Sequence, residues 1–281
     1  MIERLRVCGQ VHSDAPAWGR CQPPFLLRCG MPVDRSAPRS VTCPTVNLPS
    51  NSDSSCRPAM LQQFSCNQAG RDIAVGDIHG CFGKLEAALR RIGFAAETDR
   101  LFAVGDLVDR GPESHRVMEW LRYPWFHAVS GNHEQLAWRR ALGDPVPDID
   151  HVRHGGQWLD LLDTPEQLEL GRQLRALPLL IEVETRLGPV GLVHADFPYD
   201  DWRVAHTGGF SVEDEETCLW SMARYRSQYH QPIRHVRAVV HGHLTLPRMT
   251  QLGNVLYIDT GGWRNDGHFT LLDLHTLKPA R

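Results

Sequence analysis

Gly76-Asp77-Ile78-His79-Gly80, Gly105-Asp106-Leu107-Val108-Asp109-Arg110-Gly111 and Gly131-Asn132-His133-Glu134 follow one another between residues 76 and 134. Each block sets carboxylate, amide or imidazole side chains beside glycine. Each also follows a short apolar run: Ile73-Ala74-Val75, Leu101-Phe102-Ala103-Val104 and Phe126-His127-Ala128-Val129. Apolar runs of this length, closed by a glycine turn, read as buried strands. Val190–Val193 leads in the same way to His194, and Val236–Val240 to His243. Leu179–Val183 and Val255–Ile258 are two more strand candidates. Helical spacing fills the intervals: Leu85, Ala88, Leu89 and Ile92 share one face, Val117, Trp120 and Leu121 another, and Leu168, Leu170, Leu174 and Leu177 a third. Strands interleaved with helices predict an α/β layered domain.

In five strands the apolar run ends at a metal-preferring side chain. Val75 leads to Asp77 and His79, Val104 to Asp106, Val129 to Asn132, Val193 to His194 and Val240 to His243. Side chains at the carboxyl ends of strands converge on one crevice of an open α/β sheet. Carboxylate, amide oxygen and imidazole together suit Mn²⁺ or Fe, with Zn²⁺ next, and exclude an all-oxygen Ca²⁺ cage. Six ligands exceed what one catalytic ion with open positions needs. They suffice for two ions sharing a bridging carboxylate, an arrangement that activates water and clamps phosphoryl oxygens.

The rest of the chain sets bounds. Its 281 residues carry a net charge of −3, with no basic face for nucleic acid or an anionic membrane. No apolar stretch approaches the roughly 20 residues of a spanning helix. Met1-Ile2-Glu3-Arg4-Leu5-Arg6 has early charges of both signs and no apolar core of a signal peptide, so a cytoplasmic protein is expected. Six of eight cysteines fall at or before residue 66, and none forms a Cys-x-x-Cys pair. Residues 1–59 hold eight prolines and seven serines without periodicity. Residues 1–69 therefore read as a disordered extension and 70–281 as the catalytic domain. The abrupt change in Cys and Pro usage raises Met60 as the natural start.

The three blocks, with His194-Ala195-Asp196, Gly242-His243 and Tyr257-Ile258-Asp259-Thr260-Gly261, resemble the phosphoprotein phosphatase family of calcineurin-like metallophosphoesterases, over about residues 70–281. The likeness is strongest to bacterial and phage-type serine/threonine phosphatases. It implies two mixed β-sheets packed as a sandwich and flanked by helices. It implies that Asp77 and His79 hold a first metal, Asp106 bridges, and Asn132, His194 and His243 hold a second. It further implies direct attack on phosphorus by a hydroxide bridging the two metals. Arg110 would grip phosphate, His133 would protonate the leaving oxygen, and Asp109 would orient His133. The implied partner is a phosphoprotein carrying phosphoserine or phosphothreonine, with phosphotyrosine as an extension.

The sequence departs from that pattern in two places. Phage-type relatives typically carry a phosphate-binding arginine next but one after the tryptophan of Leu219-Trp220-Ser221, where this chain has Met222. Arg224 and Arg226 are the candidates to replace it. Ser130 stands where relatives often have a basic residue. Cys218-x₅-Arg224 matches a cysteine-phosphatase spacing, but Leu219, Trp220 and Met222 read as a helix face rather than a phosphate loop. Histidines such as His151 and His154 lack motif context and read as surface or packed residues. The segments His151–Gln157 and Asp200–Glu216 read as specificity loops, with Trp202 and Phe210 as candidate contacts. The rival enzyme is a diadenosine tetraphosphate hydrolase, a subgroup that usually has Ala-Arg-Gly at the position of Asp109-Arg110-Gly111 and Asp at that of Glu134. An inactive metal-binding interaction module is the rival of another class.

Overall fold

The computed structural model describes residues 60–144 and 151–281, so the expectations for residues 1–59 fall outside it. Its strands are β1 (Leu61–Phe64), β2 (Asp72–Val75), β3 (Arg100–Ala103), β4 (Phe126–Ala128), β5 (Leu180–Val183), β6 (Val190–Val193), β7 (Ala238–His241), β8 (Thr250–Leu252), β9 (Val255–Tyr257), β10 (Leu271–Asp273) and β11 (Lys278–Pro279). Its α-helices are α1 (Phe82–Arg91), α2 (Val117–Trp120), α3 (Asn132–Leu142), α4 (Thr164–Arg175), α5 (Val212–Trp220) and α6 (Ala223–Arg226). One sheet runs β11-β10-β2-β3-β4 and the other β1-β5-β6-β7-β9-β8. Both are mixed: β2, β3 and β4 are parallel, as are β6, β7 and β9, while β10 and β8 run antiparallel to their neighbours.

Alternation along the strands explains the layering. Ile73 and Val75 point to a core shared with α1, α2, α3 and α4, while Ala74 between them points to the opposite sheet. Leu101 and Ala103 follow the first direction, and Phe102 and Val104 the second. The six-stranded sheet answers from its side with Ile181, Val183, Leu192, Val240 and Leu256. Its outer face, including Val193, Val239 and Val255, packs on Phe197, Trp202, Cys218 and Leu219. Strands buried on both faces read as continuous apolar runs, which is why these strands are visible in the sequence.

All seven strands expected from the sequence form. β1, β8, β10 and β11 are additions. They lie at or next to the sheet edges and lack a long apolar run. The domain was expected to begin at residue 70, but β1 already pairs in parallel with β5, from Leu61↔Leu180 to Phe64↔Val183. Its Gln63 donates to Glu182 at 2.8 Å. Glu182 is buried and also accepts from Trp202 Nε1 at 2.7 Å. Trp202 and Phe210, read as candidate substrate contacts, are both buried in the outer core of this sheet.

Phe64 of β1 packs on His127 of β4 with ring centroids 4.3 Å apart, and Phe102 lies 5.2 Å from the same ring. Burial, reinforced by Arg100, lowers the His127 pKa to about 4. The unfolded chain, with an ordinary histidine pKa, then binds the proton first as pH falls. The contribution of neutral His127 is complete above about pH 6.5 and is lost as pH drops from there toward 4. In urea melts, His127→Phe is expected to flatten the fall in midpoint between pH 6.5 and 4. Parallel pH profiles for the two proteins would refute the assignment.

Candidate metal centre

The carboxyl ends of β2, β3 and β4 in one sheet, and of β6 and β7 in the other, bring the six expected ligands together. His194 Nε2 lies 2.9 Å from Asn132 Oδ1 and 3.1 Å from His243 Nδ1, and these last two are 3.1 Å apart. Asp106 reaches both halves: its Oδ1 is 3.3 Å from His194 Nε2 and its Oδ2 is 3.5 Å from His79 Nε2. Asp77 Oδ2 is 4.0 Å from His79 Nε2, and its Oδ1 accepts the His243 backbone N–H at 3.0 Å. Among the described residues, two groups have metal-holding geometry: His79 with Asp106 and His133, and Asp106 with His194 and His243. Asp106 is common to both, as a bridging ligand must be. His133 joins the first group by proximity, although its Nδ1 is engaged elsewhere.

Local structure fixes which nitrogen each histidine presents. His79 Nδ1 lies 3.0 Å from the Val108 carbonyl and His194 Nδ1 2.8 Å from the Val104 carbonyl. Both can only donate there, which leaves the Nε2 lone pairs facing the centre. The backbone is strained at the same points. His79, Asp106 and His243 have φ of 45°, 50° and 61°, and Asp109 and Arg110 have 70° and 66°. Left-handed conformation in non-glycine residues costs about 1–3 kcal/mol each and persists where surroundings enforce it. Two glycines are dictated by contact: a Cβ on Gly131 would strike the Asp106 carboxylate, and one on Gly242 the Asp77 carboxylate.

Glu134 is part of that enforcement, and sequence reading gave it no such role. It lies in the first turn of α3, and its buried carboxylate accepts N–H groups from Asp106 and Leu107 at 2.7 Å, Gly131 at 2.8 Å and Val108 at 3.3 Å. Burial and then Asp106 push its carboxyl up to about 8, while these N–H groups pull toward the carboxylate. An acid three residues after a helix-starting position is the sequence signal that could have found it.

Beside the ligands stands a second, connected cluster. His133 Nδ1 is 2.7 Å from Asp109 Oδ2, and both side chains are buried. Burial lowers the His133 proton affinity, but Asp106 and then Asp109 outweigh it and leave it raised. The Arg110 guanidinium lies 2.7 Å from His79 Nε2 and 3.0 Å from His133 Nε2, stacked 4.7 Å over the Trp263 ring. His151 and Trp158, which carried no motif, also reach Asp109.

A family model described as calcineurin-like phosphoesterase matches residues 73–246. The chain belongs to that family. Serine/threonine-protein phosphatase 2 of Salmonella typhimurium (strain LT2) is 35% identical over 195 residues, which cover 67% of this chain and 86% of that protein. A symmetrical bis(5'-nucleosyl)-tetraphosphatase of Methylococcus capsulatus (strain Bath) is 35% identical over 127 residues, covering 44% of this chain and 42% of that protein. A solved structure of a cold-active protein-tyrosine phosphatase from a psychrophilic Shewanella superposes with a TM-score of 0.51 at 15% identity, covering 78% of this chain and 79% of that one. That last likeness concerns the fold alone. The protein is a hydrolase of the metallophosphoesterase class, a family built around two metals.

The residues present fit such a centre in charge as well as in donor type. Burial, then Asp259 and Asp106, raise the Asp77 carboxyl well above its ordinary range, so three acids crowd a space that bound cations would relieve. Burial also lowers His79 to about 3 and His243 to about 4, and lowers His194 too, so all three imidazoles are neutral ligands near pH 7. The Arg110 guanidinium against His79 Nε2 shows that the donor nitrogens already accept a positive partner.

Arg224 does not serve the site as the sequence reading allowed. It is buried, and its guanidinium donates to the Gln231 carbonyl at 2.8 Å and to Asp200 Oδ1 at 2.9 Å, over the Tyr229 ring. Helical spacing cannot distinguish this inward turn from a reach toward substrate. Arg226 is exposed, with Nη2 4.0 Å from Met222 Sδ. Cys218 is buried within α5, and burial raises its thiol well above the ordinary range, which removes a thiolate nucleophile. His241 is fully buried, and both its ring nitrogens lack hydrogen-bond partners among the described residues. Among the described residues no helix is long and apolar enough to cross a membrane.

Metal loading should stabilise the fold, because the ions bind the native arrangement. At 100 times Kd one site adds about 2.7 kcal/mol. Mn²⁺ is expected to raise the melting temperature of chelator-treated protein. Asp106→Asn should abolish the rise and reduce bound metal from two ions to less than one by elemental analysis. Cys218→Ser should keep both properties. A full metal complement in Asp106→Asn would contradict the bridging assignment.

Proposed function

We propose that the protein is a metal-dependent phosphomonoesterase that hydrolyses phosphoserine and phosphothreonine in proteins. The observation that carries this reading is the buried His133–Asp109 pair, 2.7 Å apart, with His133 Nε2 turned toward Asp106 at 4.0 Å. A serine or threonine alkoxide is a poor leaving group and needs a proton as its bond to phosphorus breaks. A nucleotide phosphate leaves as a stable anion and needs none. A positioned acid beside the metal ligands therefore favours the alkoxide. The extent of the likeness supports the same choice: it spans 86% of the Salmonella phosphatase and 42% of the Methylococcus tetraphosphatase.

The motif match assigns the roles, and the grouping of the side chains supports them. Asp77 and His79 would hold one ion, Asn132, His194 and His243 the other, and Asp106 would be shared between them. Mn²⁺ suits the set best, with Fe or Zn²⁺ next. Two such ions supply activated water and a clamp on phosphoryl oxygens. Arg110 meets the phosphate with its planar fork, braced on Trp263. Arg226 is the arginine left to approach substrate from the Met222 segment. Asp109 holds the Nδ1 proton of His133 and, with Asp106, favours the doubly protonated ring. The second proton, on Nε2, is therefore the one available to the leaving oxygen, and the ring is left neutral with its remaining proton on Nδ1. The second reading, a dinucleoside tetraphosphate hydrolase, draws on the Methylococcus likeness and the shared ligand set.

Turnover of a phosphoserine peptide, a phosphotyrosine peptide, p-nitrophenyl phosphate and diadenosine tetraphosphate, with Mn²⁺ or chelator, separates the readings. The phosphopeptides should be cleaved with Mn²⁺ and not with chelator. Preference for the dinucleotide would overturn the proposal, and silence on every substrate despite bound metal would indicate an interaction module. His133→Asn should cost the phosphoserine peptide about 10²–10⁴-fold in kcat. It should cost p-nitrophenyl phosphate, whose phenolate leaves readily, roughly tenfold or less.

A further inference from the structure

We infer that His151 and Trp158 are positioning residues for the leaving-group acid, acting through Asp109. The inference rests on the general-acid role proposed for His133. Asp109 is fully buried, and its two oxygens are divided among three nitrogen donors. Trp158 Nε1 donates to Oδ1 at 2.7 Å, and His133 Nδ1 lies 2.7 Å from Oδ2. His151 Nε2 sits between them, 3.0 Å from Oδ1 and 2.9 Å from Oδ2.

A carboxylate held by a single imidazole can rotate about its Cβ–Cγ bond and offer either oxygen at many angles. The indole removes that freedom, because its N–H is a donor with no alternative role. His151, shared between the two oxygens, fixes the plane of the group. Oδ2 is thereby aimed at His133 Nδ1, and Nε2 of that ring is aimed at the reacting side. Precision of this kind governs how well a positioned acid works.

The segment bearing these residues is shaped to lie on this spot. Gly155, with φ of 94°, sits where a Cβ would overlap the Arg110 backbone, and a Cβ on Gly156 would strike the His151 ring. Asp109 and Arg110 are consecutive left-handed non-glycine residues, a conformation that needs external support. Ser114 Oγ accepts the Asp109 N–H at 2.9 Å, and the side-chain donors above complete the hold. His151 Nδ1 is buried without a partner among the described residues. A ring placed for general packing would not need to strand a nitrogen, whereas one placed to direct its Nε2 at Asp109 accepts that cost.

The test is leaving-group contrast in the full-length, metal-loaded protein. Trp158→Phe keeps the ring and deletes the N–H. His151→Leu deletes the second donor, and His151→Gln keeps an N–H near the position of Nε2. Trp158→Phe and His151→Leu should lower kcat for a phosphoserine peptide by about 10–100-fold while changing p-nitrophenyl phosphate by about 3-fold or less. KM and bound metal should be unchanged, and His151→Gln should recover most of the loss. Equal losses on both substrates, or no loss on either, overturn the proposal, since a merely structural role carries no leaving-group dependence. Should His151→Leu fail to fold, the near-isosteric Trp158→Phe decides alone. If His133→Asn itself shows no contrast, the general-acid reading falls and this inference with it. Contrast in His133→Asn without contrast in Trp158→Phe sinks the positioning role only.

Discussion

The Asp106 carboxylate is the point on which the site closes. One oxygen faces His79 and the other His194, so a single side chain belongs to two ligand groups. It is buried, and it lies close enough to Asp77 and Asp259 to raise the proton affinity of both. An isolated buried carboxylate is expensive, and several together are tolerable only if they are paired or coordinate metal. The fold offers each oxygen a separate set of neutral imidazoles and leaves the charge to be balanced by cations. Glu134 makes the geometry rigid, because its own carboxylate grips the N–H groups of Asp106 and the two residues that follow.

That arrangement requires both sheets. The five-stranded sheet carries Asp77, His79, Asp106 and Asn132 at its strand ends, and the six-stranded sheet carries His194 and His243. Neither half has a complete ligand set. Packing between the sheets is therefore the step that assembles the centre, and Val104, Val129 and Val240 of the inter-sheet core lie two or three residues from Asp106, Asn132 and His243. The left-handed conformations at His79, Asp106 and His243 place strain where this packing can enforce it.

The strand ends were legible because one signal served two purposes. An apolar run marks a strand buried on both faces, and the polar residue that stops it must point into a crevice. Ile73–Val75 followed by Asp77 is readable on both counts. Where the partner lies far along the chain, nothing local announces it. His151 is 42 residues from Asp109 and Trp158 is 49, and neither sits in a patterned segment. Arg224 failed as a phosphate ligand because helical spacing gives a face but not what covers it. Its neighbours Asp200 and Gln231 draw the guanidinium inward. Trp202 and Phe210 looked like loop aromatics available to substrate. Burial against the outer face of the six-stranded sheet accounts for them instead. β1 escaped notice because Leu-Gln-Gln-Phe carries apolar groups only at its ends.

The metal ligands alone do not choose among phosphate esters, since they would polarise any phosphoryl group. Discrimination falls to side chains that act only when a particular bond breaks. Arg110, over the Trp263 ring, would in the proposed role meet charge that is present both in the bound ester and in the transition state, and so contribute to binding as much as to rate. His133, as the proposed general acid, is different, because its proton would matter only to a leaving group that cannot depart as a stable anion. Asp109, buried among three nitrogen donors, is placed to orient the ring that would carry that proton. The fold thus gathers around His133 a buried carboxylate, an imidazole whose Nδ1 has no partner among the described residues, and two strained residues. In the proposed reading, such an arrangement suits an alkoxide leaving group, which needs a proton, better than a nucleotide phosphate, which leaves as a stable anion.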